Sequence, residues 1–186
     1  IETIGSKKEE LQSAIDTINT EAAKAAMDMG PAAAELSTAA ASLEQAKQAL
    51  MVIAEHTDGV DALIFVGLPL ERDNRLYNVA AVLNCGEIMG FVPKSEIPSY
   101  GEHAEGRYFA AGNEMPVMVD FDGQEIPFGT TLLFTSDAID GLRVACEICE
   151  DALVAKNPSI DHVAAGANVI VNLSASAEYV GKDEYR

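Results

Sequence analysis

A cysteine stands where an apolar segment of the sequence ends in a pair of carboxylates. Residues 142–151 read Leu-Arg-Val-Ala-Cys-Glu-Ile-Cys-Glu-Asp, and Cys149 follows the last apolar residue. A nucleophile at the end of a strand is exposed at the edge of a sheet and held rigidly. The position therefore makes Cys149 a candidate nucleophile. The alternative is a buried and unreactive thiol, which is the commoner state of a cysteine.

Two cysteines of this segment, Cys146 and Cys149, form a C-x-x-C pair, which elsewhere marks a redox dithiol or half of a zinc site. Residues three apart on a strand point to opposite faces, and no second pair or nearby histidine completes a ligand set. We therefore expect no metal. The histidines, His56, His103 and His162, are expected to be surface or structural residues.

A lysine follows a second apolar segment. Lys94 comes directly after Phe91-Val92-Pro93, so its ammonium should emerge from a rigid backbone beside the sheet. A fixed cation near developing negative charge can stabilise an oxyanion in a dry site. By itself the pattern also fits a surface lysine at the end of a strand. Lys94 gains its interest as a partner for Cys149.

The N-terminal residues 7–56 are rich in good helix formers. Gly30-Pro31 is the clear break in this stretch, so the pattern predicts two helices. Apolar residues recur at helical spacing between Leu43 and Ala54, which predicts an apolar stripe that packs against another element.

Beyond residue 60, short apolar runs separated by turn residues predict strands and a mixed sheet architecture with helices on its outer faces. Residues 84–86 and the Asp122-Gly123 pair predict hairpins, and residues 161–166 predict a short helix. Apolar strands such as residues 169–171 usually have neighbours on both sides, so we expect more of the domain to follow. The predicted strands are residues 62–66, 78–83, 87–92, 117–121, 131–134, 142–148 and 167–173.

The composition is that of one acidic globular domain. The 186 residues include 12 basic and 30 acidic side chains, a formal charge of -18, which would repel nucleic acid and anionic membrane surfaces. No apolar run approaches a bilayer span and the N-terminus lacks a secretory pattern, so we expect a cytoplasmic protein without membrane or nucleic-acid partners. An odd number of irregularly spaced cysteines fits reduced thiols.

Several segments in one order resemble a known family. They lie at residues 66–70, 75–82, 92–94, 98–102, 147–151 and 172–176. Together they resemble the glutaminase domain of glutamine-dependent NAD synthetases, a nitrilase-type carbon–nitrogen hydrolase. The resemblance implies an α/β fold, the nitrilase-type α-β-β-α sandwich, apparently incomplete at the C-terminus. Residues 1–186 would form a partial glutaminase domain in which residues 1–42 match poorly and are helical.

The resemblance also implies a catalytic set of a cysteine, a lysine and a glutamate base. Carried over, Cys149 attacks the side-chain amide of glutamine and Lys94 supports the tetrahedral intermediate. Glu105 matches a supporting glutamate, and the substrate-binding positions fall on Glu150, Ser176 and Tyr100.

Two positions compete for the glutamate base. An alignment without gaps places Ala25 there, so the base would be missing, whereas a deletion makes Glu35 the base. The family has a strand at this point, while the alanine-rich stretch of residues 22–41 favours a helix.

The implied function is a glutaminase that needs no cofactor and passes ammonia to a synthetase domain, which uses ATP and Mg to convert deamido-NAD to NAD. That domain is absent from this sequence. The alternatives are a catalytically impaired member or fragment with a docking role, and a stand-alone nitrilase-type amidase for another small amide. By analogy we expect a homo-oligomer.

Overall fold

The computed structural model describes the backbone of residues 2–100, 104–175 and 180. Within the first helix, the described side chains are those of residues 16, 17, 20, 21 and 24 and those from residue 33 to the end of the helix. The chain divides into two compact units, Ile1–Gln45 and Ala46–Arg186.

The first unit is helical. Helix α1 spans Glu2–His56 and continues into the second unit. The predicted break at Gly30-Pro31 is wrong, because the helix runs through both positions. A proline inside a helix removes one backbone hydrogen bond and costs about 3 kcal/mol. The many alanines of residues 22–41 favour the helix on both sides of that point.

Five strands of the second unit form the larger sheet, in the order β1-β2-β3-β5-β4. All neighbours in this sheet are antiparallel except β3 and β5, which are parallel. The strands are β1 (Ile64–Arg72), β2 (Arg75–Asn84), β3 (Glu87–Pro93), β4 (Val117–Phe121) and β5 (Gln124–Phe128).

Three further strands form a second sheet in the order β6-β7-β8, comprising β6 (Leu133–Thr135), β7 (Arg143–Ile148) and β8 (Val169–Leu173). Strand β7 is antiparallel to β6 and parallel to β8. Helix α2 (Pro158–Ala164) connects β7 to β8 and contacts β7. Two 3₁₀ turns, Glu105–Arg107 and Cys149–Leu153, complete the elements.

The alternation of side chains along β2 divides the core of the second unit between two layers. Val79, Ala81 and Leu83 pack with Leu50 and Ala54 of α1. Ala80 and Val82 face the second sheet, where they join Val92, Phe134, Val144, Cys146 and Ile148. The layers are thus the end of α1, the first sheet, the second sheet and α2, which confirms the α-β-β-α class and the apolar stripe on α1.

The turns follow the local sequence. Both predicted hairpins form. The residues at their turns all have positive φ, namely Cys85, Gly86, Asp122 and Gly123. Glycine adopts a positive φ freely, and Asn and Asp tolerate it. A third hairpin at Asp73-Asn74, between β1 and β2, was missed.

Two strands differ from their predicted form. Strand β1 continues to Arg72 past Pro69, which an edge strand accepts because its outward N–H groups need no partner in the sheet. Within the described residues, β8 has one neighbouring strand rather than two, and Val169 is 42% exposed.

Candidate active site

Cys149 lies at the point where β7 turns into the 3₁₀ helix Cys149–Leu153. Its φ is 47°, a left-handed conformation that a residue with a Cβ rarely adopts. The thiol is free and partly exposed. A strained backbone at the end of a strand presents a side chain outward, which is the geometry predicted for a nucleophile.

Lys94 is buried, with 1% exposure, and its Nζ donates to both carboxylate oxygens of Glu105, at 2.9 and 2.8 Å. Its own backbone is also fixed, because Lys94 N donates to Asn78 O at 2.8 Å and Lys94 O accepts from Gly112 N at 2.8 Å. The alternative of a surface lysine is therefore wrong, because the side chain is buried. A buried ammonium paired with one carboxylate is a positioned charge.

A cavity of about 290 Å³ brings these side chains together. Cys149, Lys94 and Glu105 all line it, with Asn78 at its wall and residues 173–175 at the end of β8. The thiol, the ammonium and a carboxylate thus border one small space. This arrangement can hold a small polar molecule beside a nucleophile and a cation.

Asp151 joins the two loops that carry the nucleophile and the lysine. Its buried carboxylate accepts from the backbone N–H groups of Ser95 at 3.0 Å, Glu96 at 2.7 Å and Ile148 at 3.0 Å. Burial raises the pKa of Asp151, while these backbone donors and the nearby Lys94 oppose the rise. The positions of Lys94 and Cys149 therefore depend on one shared acceptor.

Two candidate substrate residues contact each other at the outer side of this region. The phenol of Tyr100 donates to Glu150 Oε1, and Tyr100 is 58% exposed. Glu150 follows Cys149 directly, so the pair lies beside the nucleophile in the chain. The sequence named both residues without predicting that they would touch.

The second cysteine of the C-x-x-C pair has a different environment. Cys146 is 1% exposed in the layer between the sheets, and burial raises the pKa of its thiol to about 12, with Glu147 and Asp151 adding to the rise. Such a thiol is a poor nucleophile at neutral pH.

Ser176 and Glu35 are the two remaining candidates from the sequence. Ser176 lies outside the described residues. Glu35 is exposed within helix α1 and belongs to the unit Ile1–Gln45, whereas Cys149 and Lys94 belong to the other unit. Ala25 also falls in this helix, where the resemblance implied a strand.

Two residues with hydrogen bonds around Cys149 had no role assigned from sequence, Asp151 and Asn172. Asn172 Nδ2 donates to Glu147 Oε1 and to Cys149 O, each at 3.3 Å. Both residues lie in the motifs that carried the resemblance, but their contacts join positions far apart in sequence. The only sequence signal for Asn172 was its uncharged amide within the otherwise apolar strand β8.

A larger cavity of about 910 Å³ lies elsewhere in the second unit, with Phe65, Leu132, Phe134 and Val171 among its lining residues. None of the candidate catalytic residues borders it. The described part of the chain contains no cluster of His, Cys, Asp and Glu that could hold a metal ion. Among the described helices, none combines the length and apolarity that crossing a bilayer requires.

Solved structures place the fold in a class. A carbon–nitrogen hydrolase from Helicobacter pylori matches 74% of this chain and 40% of its own, with a TM-score of 0.51 and 18% identity, which supports the fold alone. The two sheets and their flanking helices have the fold of that carbon–nitrogen hydrolase.

Within this class the chain is related to the glutamine-dependent NAD(+) synthetases. The Mycobacterium tuberculosis protein of that name is 36% identical over 144 residues, 77% of this chain. The Aquifex aeolicus protein is 31% identical over 144 residues, again 77% of this chain. The synthetase structure from Cytophaga hutchinsonii matches 75% of this chain at 26% identity, with a TM-score of 0.61.

The chain spans about a fifth of the length of these relatives: 21% of the Mycobacterium protein, 22% of the Aquifex protein and 22% of the Cytophaga chain. No family model matches it. The resemblance inferred from the motifs is confirmed, and it concerns one portion of a larger enzyme.

Proposed function

We propose that this chain supplies the glutaminase chemistry of a glutamine-dependent NAD synthetase. The observation that carries the proposal is the shared cavity, in which a strained Cys149 meets the buried Lys94–Glu105 pair. The relatives named above support the same reaction class, since each is named as glutamine-dependent.

The chemistry begins with the thiolate of Cys149 attacking the side-chain amide carbon of glutamine. A C–S bond forms, and the carbonyl oxygen becomes an oxyanion that the Lys94 ammonium stabilises. Collapse of this intermediate breaks the C–N bond, and the leaving nitrogen takes up the proton that the base removed from the Cys149 thiol and departs as ammonia. Water then attacks the thioester, which releases glutamate and restores the thiol.

Glu105 keeps the ammonium in place through both of its carboxylate oxygens. This pairing favours a supporting role over proton transfer, because both carboxylate oxygens are occupied by the Lys94 ammonium. Glu35 remains the proposed base, by resemblance. Tyr100, Glu150 and Ser176 are proposed to hold the amino-acid end of glutamine.

The synthetase step would belong to another domain or subunit, which would bind ATP and Mg and use the ammonia released here. Homo-oligomeric assembly stays a prediction by analogy, and a cytoplasmic location stays a prediction from the sequence pattern.

The first test measures covalent labelling of Cys149 by an electrophilic glutamine analogue, followed by intact mass and peptide mapping. We expect labelling at Cys149 that free glutamine suppresses, and none in Cys149→Ala. Lys94→Met should slow labelling by about 100-fold, as for loss of an oxyanion donor. Lys156→Met is the matched control, because the Lys156 side chain is 74% exposed.

A folded chain that shows no labelling at Cys149 would contradict the proposal. Suppression by other small amides, but not by glutamine, would favour the stand-alone amidase instead.

A catalytically impaired docking protein is the second candidate, because the positions that the resemblance assigns to the base lie within helix α1. Replacing Glu35 by Gln separates the two. A fall in ammonia release supports the catalytic assignment, whereas an unchanged low rate in both proteins supports impairment.

A further inference from the structure

A polar network lies directly behind Cys149, on the face of β7 that is turned away from the first sheet. Val144, Cys146 and Ile148 pack between the sheets, so the alternation of side chains places Glu147 on the opposite face. Glu147 is nevertheless only 4% exposed. A carboxylate has thus been buried next to the nucleophile, at a cost that needs an explanation.

Asn172 is the partner of this carboxylate on the neighbouring strand. It lies opposite Glu147 in the register of β7 and β8. Its Nδ2 donates to Glu147 Oε1 and to the backbone oxygen of Cys149, each at 3.3 Å. Its Oδ1 accepts from the hydroxyl of Ser174. The amide is therefore oriented from both ends.

The orientation matters because of what the amide holds. Glu147 Oε1 accepts a hydrogen bond from the NH₂ group of Asn172 and so turns that group toward β7. One of its hydrogens then reaches the carbonyl of Cys149, the residue with φ of 47°. A left-handed residue with a Cβ is strained and persists only where its surroundings hold it.

Glu147 gains little stability from the arrangement. Among the described residues its Oε2 has no hydrogen-bond partner, although the atom is buried. A half-satisfied buried carboxylate is unfavourable for folding, and such groups in native structures often serve a functional site.

We infer that Asn172, oriented by Glu147, is a positioning residue for the nucleophile. Its hydrogen bond to the carbonyl fixes the left-handed backbone of Cys149 and so directs the thiol into the cavity. The expected effect on the reaction of the thiol rests on the proposed function of Cys149. The expected effect on the backbone of Cys149 is independent of that function.

The opposite end of the same strand pair offers a matched control. Asn168 precedes β8, accepts from Arg143 N at 3.1 Å and donates to Gly141 O at 2.7 Å. It therefore joins β7 to β8 as Asn172 does, but at the end away from Cys149. Asn168→Ala should cost similar stability without reaching the nucleophile.

The experiment compares wild type, Asn172→Ala and Asn168→Ala in two ways. Hydrogen exchange of the peptide covering residues 147–153 reports how firmly the backbone is held. The ratio of Cys149 labelling rates by a glutamine-like electrophile and by iodoacetamide reports the direction of the thiol, because iodoacetamide needs no bound geometry.

We expect Asn172→Ala to speed exchange of this peptide by about tenfold, as for loss of one hydrogen bond. The labelling ratio should fall by about 10- to 100-fold, since small misplacements cost that much. Asn168→Ala should change neither. Equal effects of the two substitutions would overturn the inference and leave Asn172 a structural residue.

A second pair covers the case in which Asn172→Ala does not fold. Glu147→Gln retains an oxygen acceptor for Asn172 and should preserve both readouts, whereas Glu147→Ala should reproduce the loss. Equal results from Glu147→Gln and Glu147→Ala would also overturn the inference about Asn172. If wild type reacts with iodoacetamide but not with the glutamine analogue, the proposed glutaminase function fails, and the exchange measurement still decides the role of Asn172.

Discussion

At the scale of residues, two cysteines three positions apart have opposite chemistry because one strand ends between them. Cys146 is enclosed between the sheets, and Cys149 borders a cavity. The residue type and the immediate neighbours are nearly the same for both. Burial and backbone direction make the difference.

This contrast predicts selective labelling. At pH 8 a thiol with a pKa of about 12 is ionised in about one molecule in ten thousand. We therefore expect iodoacetamide to label Cys149 and Cys85 in the folded chain and to leave Cys146 unmodified. Peptide mapping after a timed reaction measures this, with the chain in denaturant as the control in which all three react. Rapid labelling of Cys146 in the folded chain would show that the layer between the sheets opens.

Residue-level reasoning predicted Cys149 and Lys94 from their positions at strand ends, which are local properties, and the family resemblance added Glu105. It did not predict Asp151 as the shared acceptor of two loops, or Asn172 as the partner of Glu147. Those contacts depend on which strands become neighbours, and the order of strands in a sheet cannot be predicted from any short segment of sequence.

At the scale of elements, apolar spacing was the more reliable guide and single helix-breaking residues the less reliable one. The stripe near the end of α1 packs on the first sheet as predicted, whereas Gly30-Pro31 does not end the helix. A stripe reflects many burial contacts, while one proline changes one hydrogen bond and its local sterics. The short turn at Asp73-Asn74 was missed because it contains no glycine.

The packed stripe gives a prediction for the second unit. Leu50 is 1% exposed in the core formed by α1 and the first sheet, so Leu50→Ala should lower the free energy of unfolding by about 2–5 kcal/mol. Val52 lies on the same helix and is 52% exposed, so Val52→Ala should change it by less than about 1 kcal/mol. Urea unfolding of both variants measures the difference. Similar losses would mean that this helix does not pack on the sheet in solution.

At the scale of the whole molecule, the chain covers about a fifth of the relatives named glutamine-dependent NAD(+) synthetase. Its own described residues already contain a cavity with a nucleophile, a cation and a carboxylate. The remaining partners of the reaction are proposed to come from the rest of such an enzyme.

A buried histidine links the stability of the molecule to pH. Burial lowers the pKa of His162, against the opposing effects of Glu147 and Asp161. Glu150 and Asp151 on the adjoining 3₁₀ turn are the other acidic groups of the elements that contact α2. Between the lowered pKa and the ordinary value near 6.5, the unfolded chain binds a proton that the folded chain does not.

Stability should therefore fall as the pH drops below about 6.5, until the lowered pKa is reached. His162→Gln should remove this part of the pH dependence of stability. Thermal unfolding from pH 7.5 to 5 for both proteins measures the effect. Parallel curves for wild type and variant would show that His162 contributes no proton linkage.

The carboxylate of Asp151 has a kinetic consequence. It accepts from Ser95 and Glu96, which lie 56 and 55 positions earlier in the chain, and from Ile148 beside it. Contacts of such high sequence separation form late, because loop closure must come first. During refolding, the two sheets would gain structure before Cys149 gained its special reactivity. The delay between recovery of the circular dichroism signal and recovery of selective thiol labelling would then measure how long the docking of one sheet on the other takes.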